Sequence, residues 1–271
     1  MTDLAPAHPL IQPGTEPPSI SYSRASSYVR CPAAYNFRYN VGLKIAPSWS
    51  IIGRASHEAE AVNFEQKITS GRDLPVQDVR DTAATAFDRE LQTEEVIWED
   101  GDNPGRAKDR AVLGAETHHI LVAPPIQPIL VEEPFKVALP WGTILTGRMD
   151  VVDQAWTIHD AKHVADAPKD GAEEYEAQPG LYGFAARAMV QERPRFILDY
   201  VVLGRKNAKA PKPRALSREV QVTDAKIGAA LERLQQVERA IRAGIVYGVS
   251  EPFKCSGCGF RRVCKWSAAP K

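Results

Sequence analysis

Two short segments in the middle of the chain hold the residues whose types and spacing best fit catalysis. They are Gly147-Arg148-Met149-Asp150 and Ile158-His159-Asp160-Ala161-Lys162. Asp160 and Lys162 are two positions apart on a predicted strand, so their side chains lie on the same face. A hairpin would bring Asp150 beside them. Two carboxylates and a backbone carbonyl form the oxygen-rich site that magnesium or manganese prefers.

Lys162 would stand next to such a metal. It could orient or help deprotonate an attacking water, or stabilise charge on a phosphate. The alternative is a solvated face, which is what alternating Asp and Lys on an exposed strand usually form. Ile158 and Val164 flank the motif with apolar residues in mid-chain, which favours a core setting.

Two further motifs accompany this pair of segments. Gln178 and Tyr182 are four positions apart, so they share one face of a predicted helix. His57 lies on an early predicted helix that begins near Gly53. Taken alone, a single His is more often structural than a ligand, and a Gln/Tyr pair is not specific.

The chain has four cysteines, and three of them fall within ten residues near its end. They are Cys31, Cys255, Cys258 and Cys264. In a reducing compartment, clustered cysteines more often bind metal than form disulfides. Four thiolates can hold a 4Fe–4S cluster or a tetrahedral zinc, and chemistry alone does not choose between them. Zinc sites more often use two C-x2-C pairs, which this chain lacks.

The elements that must position these residues can be predicted from periodicity and turn signals. Residues 1–18 are Pro-rich and predict a flexible tail. Ser23 is the predicted cap of a first helix that Cys31-Pro32 ends. The predicted strands are Ile129–Val137, Thr143–Val152, Trp156–Val164 and Phe196–Leu203.

Helices are predicted around these strands. They cover Gly53–Gln66, most of 78–122, a segment ending near Val190, and an amphipathic stretch from Ile227 to Ile241. The order of the elements predicts a mixed sheet flanked by helices.

Charge and hydropathy limit the classes of function. Lys plus Arg equals Asp plus Glu, 34 each, whereas nucleic-acid binders are usually basic. The run 205–218 contains six basic and no acidic residues, so it is either a DNA-backbone clamp or a solvated loop. No apolar run approaches the ~18 residues that span a bilayer. We therefore expect no membrane association and a cytoplasmic protein, in the host cell's cytoplasm if a phage encodes it.

Together the motifs resemble the RecB-type nucleases of the PD-(D/E)XK superfamily, from about Ser21 to Cys264. The chain looks closest to the branch with an iron–sulfur cluster, which includes the AddB nuclease domain and the Cas-type exonucleases of CRISPR adaptation. The resemblance implies a single nuclease domain over residues 19–271. Its α/β core would be restriction-endonuclease-like, with a helical insertion and a C-terminal iron–sulfur cap formed by Cys31 and residues 255–264.

The resemblance also implies roles for individual residues. In the family an early His, an Asp after Gly-x-x, the acid of (D/E)-x-K and the carbonyl after it bind Mg²⁺ or Mn²⁺. The matching positions are His57, Asp150, Asp160 and Ala161. Lys162 matches the catalytic lysine. Gln178 and Tyr182 match the Q-x-x-x-Y motif, which in relatives positions the site and the DNA strand.

Some positions depart from the family pattern. Asp160 replaces the commoner Glu, and His163 stands where relatives often have a small hydroxyl residue. Pro179 fits a helix only in its first turn. Glu133, on the preceding predicted strand, is a candidate further acid near the metal.

The function that follows is metal-dependent hydrolysis of DNA. We expect exonuclease action on single strands or duplex ends, in recombination or repair, CRISPR adaptation or phage DNA processing. A helicase, recombination or adaptation partner would supply any unwinding. Two alternatives remain, a non-catalytic DNA-binding module of the same fold and a zinc-stapled structural protein. The sequence does not give cleavage polarity or oligomeric state.

Overall fold

A six-stranded mixed sheet forms the centre of the molecule. The computed structural model describes residues 18–98, 101–168, 177–190, 194–204 and 213–269. The strands of the central sheet are β1 (Ser19–Ser21), β4 (Pro128–Ala138), β5 (Ile144–Asp153), β6 (Thr157–Val164), β7 (Arg195–Val202) and β8 (Arg214–Val220). A separate parallel pair consists of β2 (Ile45–Pro47) and β3 (Glu95–Ile97). The predicted mixed sheet flanked by helices is confirmed.

Helices account for most of the remaining described chain. They are α1 (Tyr22–Arg30), α2 (Pro32–Tyr35), α3 (Ser48–Ser70), α4 (Val76–Glu90), α5 (Pro104–Leu121), α6 (Ala177–Val190), α7 (Asp224–Arg242) and α8 (Pro252–Ser256). A π-helical turn, Asn36–Asn40, follows α2.

The helices cover the sheet on both faces. On one face α1, α6 and α7 pack against the alternating apolar residues of β5, β6 and β7, with Phe196, Leu198 and Tyr200 fully buried beneath them. On the other face Phe64 of α3 and the segment just after α5 pack on Val151. Helix α4 packs against α3 and α5 on their outer side. These two apolar layers enclose the sheet as a core.

Strand β5 shares its two edges among three partners. One edge pairs with β4 along its whole length. The other edge pairs with β1 at Ile144–Thr146 and with β6 only at Val151 and Val152. Between these contacts the sheet opens into a fork, and the fork lies where the sequence motifs meet.

The structure corrects several predicted boundaries. Ser21, not Ser23, caps α1, because its side chain accepts from the backbone N–H of Arg24. Helix α3 is longer than predicted at both ends. Helical periodicity would place Ile68 of α3 and Met189 of α6 with the buried apolar residues, but both side chains are exposed.

The basic run 205–218 is only partly described. Residues 205–212 lie outside the described residues, as do residues 1–17 of the predicted tail. Arg214 to Arg218 belong to β8, an edge strand paired with β7, so this part of the run is not a loop. None of the helices in the described ranges combines the length and the apolar character needed to cross a membrane.

Candidate active site

Asp150 and Asp160 meet where β5 and β6 separate. The last paired residues of the two strands are Val151 with His159 and Val152 with Ile158. One position further along the same antiparallel register, Asp150 would stand opposite Asp160. Because β6 departs from β5 here, the carboxylates lie at the fork rather than in a continuous ladder. The structure thus brings the two predicted metal-binding aspartates to one place.

Lys162 and Gln178 hold Asp160 on the face of the sheet covered by α6. The ammonium of Lys162 forms an ion pair with Oδ2 of Asp160. Nε2 of Gln178 donates to Oδ1 of the same carboxylate at 2.6 Å. Asp160 is 1% exposed, so it needs both partners to be stable as a carboxylate in this position. Pro179 falls in the first turn of α6, where proline is tolerated.

Tyr182 lies one turn after Gln178 and packs within the core. Its ring meets Phe135 edge-on at 5.3 Å and Phe196 at 6.1 Å between centroids. Burial raises the pKa of the hydroxyl, and the charges of Asp150 and Asp160 raise it further. Tyr182 therefore stays protonated beside the acidic site.

His57 reaches Asp150 from helix α3 on the opposite face. Its Nδ1 is 3.7 Å from Oδ2 of Asp150. The two residues line a cavity of about 20 Å³ together with Ala161, the residue predicted to contribute a carbonyl. This volume holds about one water molecule or ion.

The electrostatics of the fork fit a bound cation. Burial raises the pKa of Asp150 well above its usual value, and the neighbouring charge of Asp160 raises it further. Burial also lowers the pKa of His57, which keeps the imidazole neutral and able to act as a ligand. Carboxylates with one imidazole and a backbone oxygen form a donor set suited to Mg²⁺ or Mn²⁺. In the part of the chain that the structure describes, however, no three His, Cys, Asp or Glu side chains converge on a single metal position.

Two acids near the fork were not found from the sequence. Glu60 of α3 is buried beside His57, and the i, i+3 spacing of the pair was the available signal. Glu132, rather than the predicted Glu133, lines the cavity with Asp150. Its φ of 51° is left-handed, so β4 is distorted there and the alternation of faces could not be read from the sequence.

The four cysteines line one cavity at the other end of α1. All four thiols are free, and the cavity measures about 40 Å³. Burial raises the pKa of Cys258, and the neighbouring Cys31 and Cys264 add to this effect. The backbone ties the same regions together, since Ala33 N donates to Tyr247 O at 3.0 Å.

Aromatic side chains can stack on unpaired DNA bases, but Tyr22, Tyr35 and Trp141 are largely occupied in packing. Tyr35 is buried, and Trp141 donates to Glu238 at 2.7 Å. Tyr22 is half-buried on α1, close enough to Lys162 and Asp160 for their charges to act on its hydroxyl. In the described part of the chain the exposed rings are those of Tyr39, Trp49, Trp156, Tyr247 and Phe253. Trp49 donates through Nε1 to Gly257 O at 3.2 Å.

The chain is similar to a phage protein in sequence and to two solved structures in backbone. The Gene 69 protein of Mycobacterium phage D29 is 27% identical over 274 residues, covering 91% of this chain and 96% of that protein. The crystal structure of SSO0001 covers 93% of this chain and 89% of its own at 12% identity, with a TM-score of 0.47. A provisionally assigned exonuclease from Eubacterium rectale covers 84% of this chain and 91% of its own at 14% identity, with a TM-score of 0.44. These TM-scores are too low to support an assignment.

The sequence itself supports assignment to a family. The pattern of the PD-(D/E)XK nuclease superfamily matches residues 19–265, a range that includes both fork aspartates, Lys162 and all four cysteines. That match covers most of the chain and agrees with a mixed sheet whose forked strands carry the motif. The chain belongs to the PD-(D/E)XK nuclease superfamily.

Proposed function

We propose that this nuclease is a metal-dependent DNA exonuclease that hydrolyses phosphodiester bonds in single strands or at duplex ends. The observation that carries the proposal is the meeting of Asp150, Asp160 and Lys162 at the fork of β5 and β6, with His57 reaching in from α3. We assign the metal ligands to His57, Asp150, Asp160 and the carbonyl of Ala161. When bound, a divalent cation would neutralise phosphate charge and make water more acidic.

The protein's own residues have separate tasks in this proposal. Lys162, ion-paired with Asp160, places a positive charge beside the carboxylate, where it can orient water or the scissile phosphate. Gln178 fixes the rotamer of Asp160 through its 2.6 Å hydrogen bond. Tyr182 packs α6 against β4 and β7 and so holds Gln178 in position.

Single-stranded DNA is the substrate class that the surface favours. Phe253 is 88% exposed, and Trp49 is 45% exposed with the Arg30 guanidinium 5.2 Å from its ring centre. Exposed rings next to cationic side chains can stack on unpaired bases. Arg262 and Lys265 are exposed on the adjoining segment.

The test is nucleotide release from labelled single-stranded and duplex DNA by anaerobically purified protein. We expect cleavage with Mn²⁺ or Mg²⁺, none with EDTA, and mononucleotides or short products from the first time points. Activity that resists EDTA, or that is retained by Asp160→Asn, would exclude the proposed site. Early products of intermediate length would show endonuclease action instead.

We also propose that Cys31, Cys255, Cys258 and Cys264 bind a 4Fe–4S cluster in preference to zinc. What supports the proposal is that all four thiols are free and line one cavity, and that the chain lacks the two C-x2-C pairs common in zinc sites. Iron and acid-labile sulfide in equal amounts, with visible absorbance, are the expected result. A colourless preparation that contains zinc would overturn the proposal.

We favour phage DNA processing as the pathway in which this nuclease acts. We also propose that residues 19–271 form a single nuclease domain. The relative in Mycobacterium phage D29 supports it, because that protein matches along nearly its whole length. The chain would act with a helicase or recombination protein where duplex DNA must be opened. Loss of mature phage genomes on disruption of the gene is the expected outcome, and normal genome maturation would contradict it.

A further inference from the structure

A buried carboxylate, Glu60, lies one turn after His57 on helix α3. Its side chain is 5% exposed. Glutamate is rarely buried in a helix unless it has partners that offset the loss of hydration. The packing of α3 against the sheet does not require an acid here, since the other residues of this face are largely small or apolar. Glu60 therefore calls for an explanation in terms of its contacts.

Glu60 stands between two imidazoles. One of its oxygens, Oε2, is 3.5 Å from Nδ1 of His57. The other, Oε1, is 2.8 Å from Nε2 of His163, which follows Lys162 on β6. The ring centres of His57 and His163 are 5.5 Å apart. Through this carboxylate, the helix that carries His57 is connected to the strand that carries Asp160 and Lys162.

His163 is itself held in place by helix α5. Its ring lies against Gly114, where an added Cβ would come within 3.5 Å of the imidazole. The imidazole side chain is 5% exposed. His163 is therefore a fixed neighbour rather than a mobile surface group, and its Nε2 contacts the Glu60 oxygen that is not paired with His57.

Glu60 also lines the cavity at the fork. His57, Asp150 and Ala161 line the same space of about 20 Å³. The carboxylate therefore faces the group of residues to which we assign the metal, although it does not belong to the set that the family pattern identifies.

We propose that Glu60 is a positioning residue that holds the imidazole of His57 toward Asp150 through the contact between its Oε2 and Nδ1 of His57. A carboxylate in this role fixes the tautomer and the ring orientation of a ligating histidine and increases its basicity. The inference rests on the proposed metal-dependent function, and it adds a residue that the motif does not contain.

The test is Mn²⁺ affinity without DNA, measured on full-length protein by titration calorimetry and by the paramagnetic resonance of free Mn²⁺. Glu60→Met keeps the length of the side chain but removes both acceptors, and we expect about 10–100-fold weaker binding. Glu60→Gln keeps one acceptor without the charge, so a smaller loss is expected. The nuclease reaction should then need more Mn²⁺ to reach half its maximal rate.

Glu238 offers a matched control. It is also buried in a helix, α7, and it accepts from Trp141 and Thr143 at the far end of β5. Glu238→Met should lower the melting temperature and leave the Mn²⁺ affinity unchanged. A purely structural role for Glu60 would give the same result as this control.

The outcomes distinguish a failure of the role of Glu60 from a failure of the proposed nuclease function. If the wild type binds Mn²⁺ and cleaves DNA while Glu60→Met binds Mn²⁺ equally well, the role of Glu60 is excluded and the nuclease stands. If Glu60→Met does not fold, unchanged affinity in Glu60→Gln overturns the inference. If the wild type neither binds Mn²⁺ nor cleaves DNA, the proposed function itself fails.

Discussion

At the scale of single residues, the fork concentrates negative charge that the protein alone does not balance. Asp150 has a raised pKa because of burial and because of Asp160, while the Lys162 ammonium is engaged with Asp160. Such an arrangement lowers the free energy of unfolding of the metal-free protein, and a bound cation can offset that loss. A catalytic site often carries this kind of local cost.

Asp150→Asn should therefore stabilise the metal-free protein while abolishing nuclease activity. A raised carboxyl pKa means that stability falls as the pH rises from the acid's unfolded pKa through its folded pKa, and the amide removes this loss. We expect a higher melting temperature in EDTA at neutral pH, with ~2–4 °C for each kcal/mol in a chain of this size.

The same two proteins are then compared with Mn²⁺ added in place of EDTA. It should raise the melting temperature of the wild type but not of Asp150→Asn, because a ligand that binds the folded state stabilises it. A variant that is less stable than the wild type in EDTA would show that Asp150 is not under electrostatic strain.

The candidate catalytic residues could be predicted from the sequence, but not all of the acidic residues around them. Asp150, Asp160 and Lys162 could be recognised because strand alternation and a tight hairpin determine where they lie. Glu60 and Glu132 could not, because their position depends on how α3 crosses the sheet and on a left-handed residue inside β4. Both are tertiary features that no local pattern encodes.

At the scale of elements, the glycine of the first motif has a packing role. A Cβ on Gly147 would lie 2.3 Å from the Phe135 ring, which crosses from β4 onto the bare backbone of β5. Phe135 then meets Tyr182 edge-on at 5.3 Å. The glycine thus allows the contact that holds α6, and with it Gln178, over the fork.

Gly147→Ala should cost about 1–3 kcal/mol of unfolding free energy, as overpacking of a core does. Gly53→Ala is the matched control, because Gly53 lies inside α3 with no atom near an added Cβ. That substitution should be neutral or stabilise by up to ~1 kcal/mol. Denaturant unfolding of both variants measures the difference, and equal stability would refute the packing role.

The predicted strands β4 to β7 are accurate because they are bounded by clear turns and carry β-branched residues. Strand β8 was missed because its alternation is masked by exposed polar and basic residues, as an edge strand permits. The predicted cap of α1 is two residues too late. Ser21 and Ser23 are both suitable N-cap residues, and the choice depends on where the backbone leaves the extended conformation, which is at Ser21.

At the scale of the whole molecule, the cysteine cavity joins the two ends of the domain. Cys31 follows α1, which continues from the edge strand β1, and the other three cysteines belong to the last described segment. Acidic side chains between positions 88 and 94 pair with basic partners, as in Arg54–Glu90 and Arg38–Glu94. Zero net charge is therefore compatible with basic side chains elsewhere that remain exposed for DNA.

Cys258→Ser should lower both the iron content and the melting temperature and make the C-terminal segment sensitive to protease. The reason is that the proposed cluster would cross-link residues far apart in sequence, and metal binding of this kind contributes directly to folding free energy. Ser256→Ala, at an exposed position two residues before Cys258 at the end of α8, is the control. Unchanged iron content and stability in Cys258→Ser would argue against a cluster at this place.

The most direct test of catalysis at the fork is the rate of DNA cleavage by Lys162→Ala in saturating Mn²⁺. The rate is compared with that of the wild type and of Lys136→Ala, which changes an exposed lysine on β4. We predict a loss of about a hundredfold or more for Lys162→Ala, measured at a temperature where the variant is folded, and no loss for Lys136→Ala. Equal rates in all three proteins would contradict the assignment of catalysis to the fork between β5 and β6.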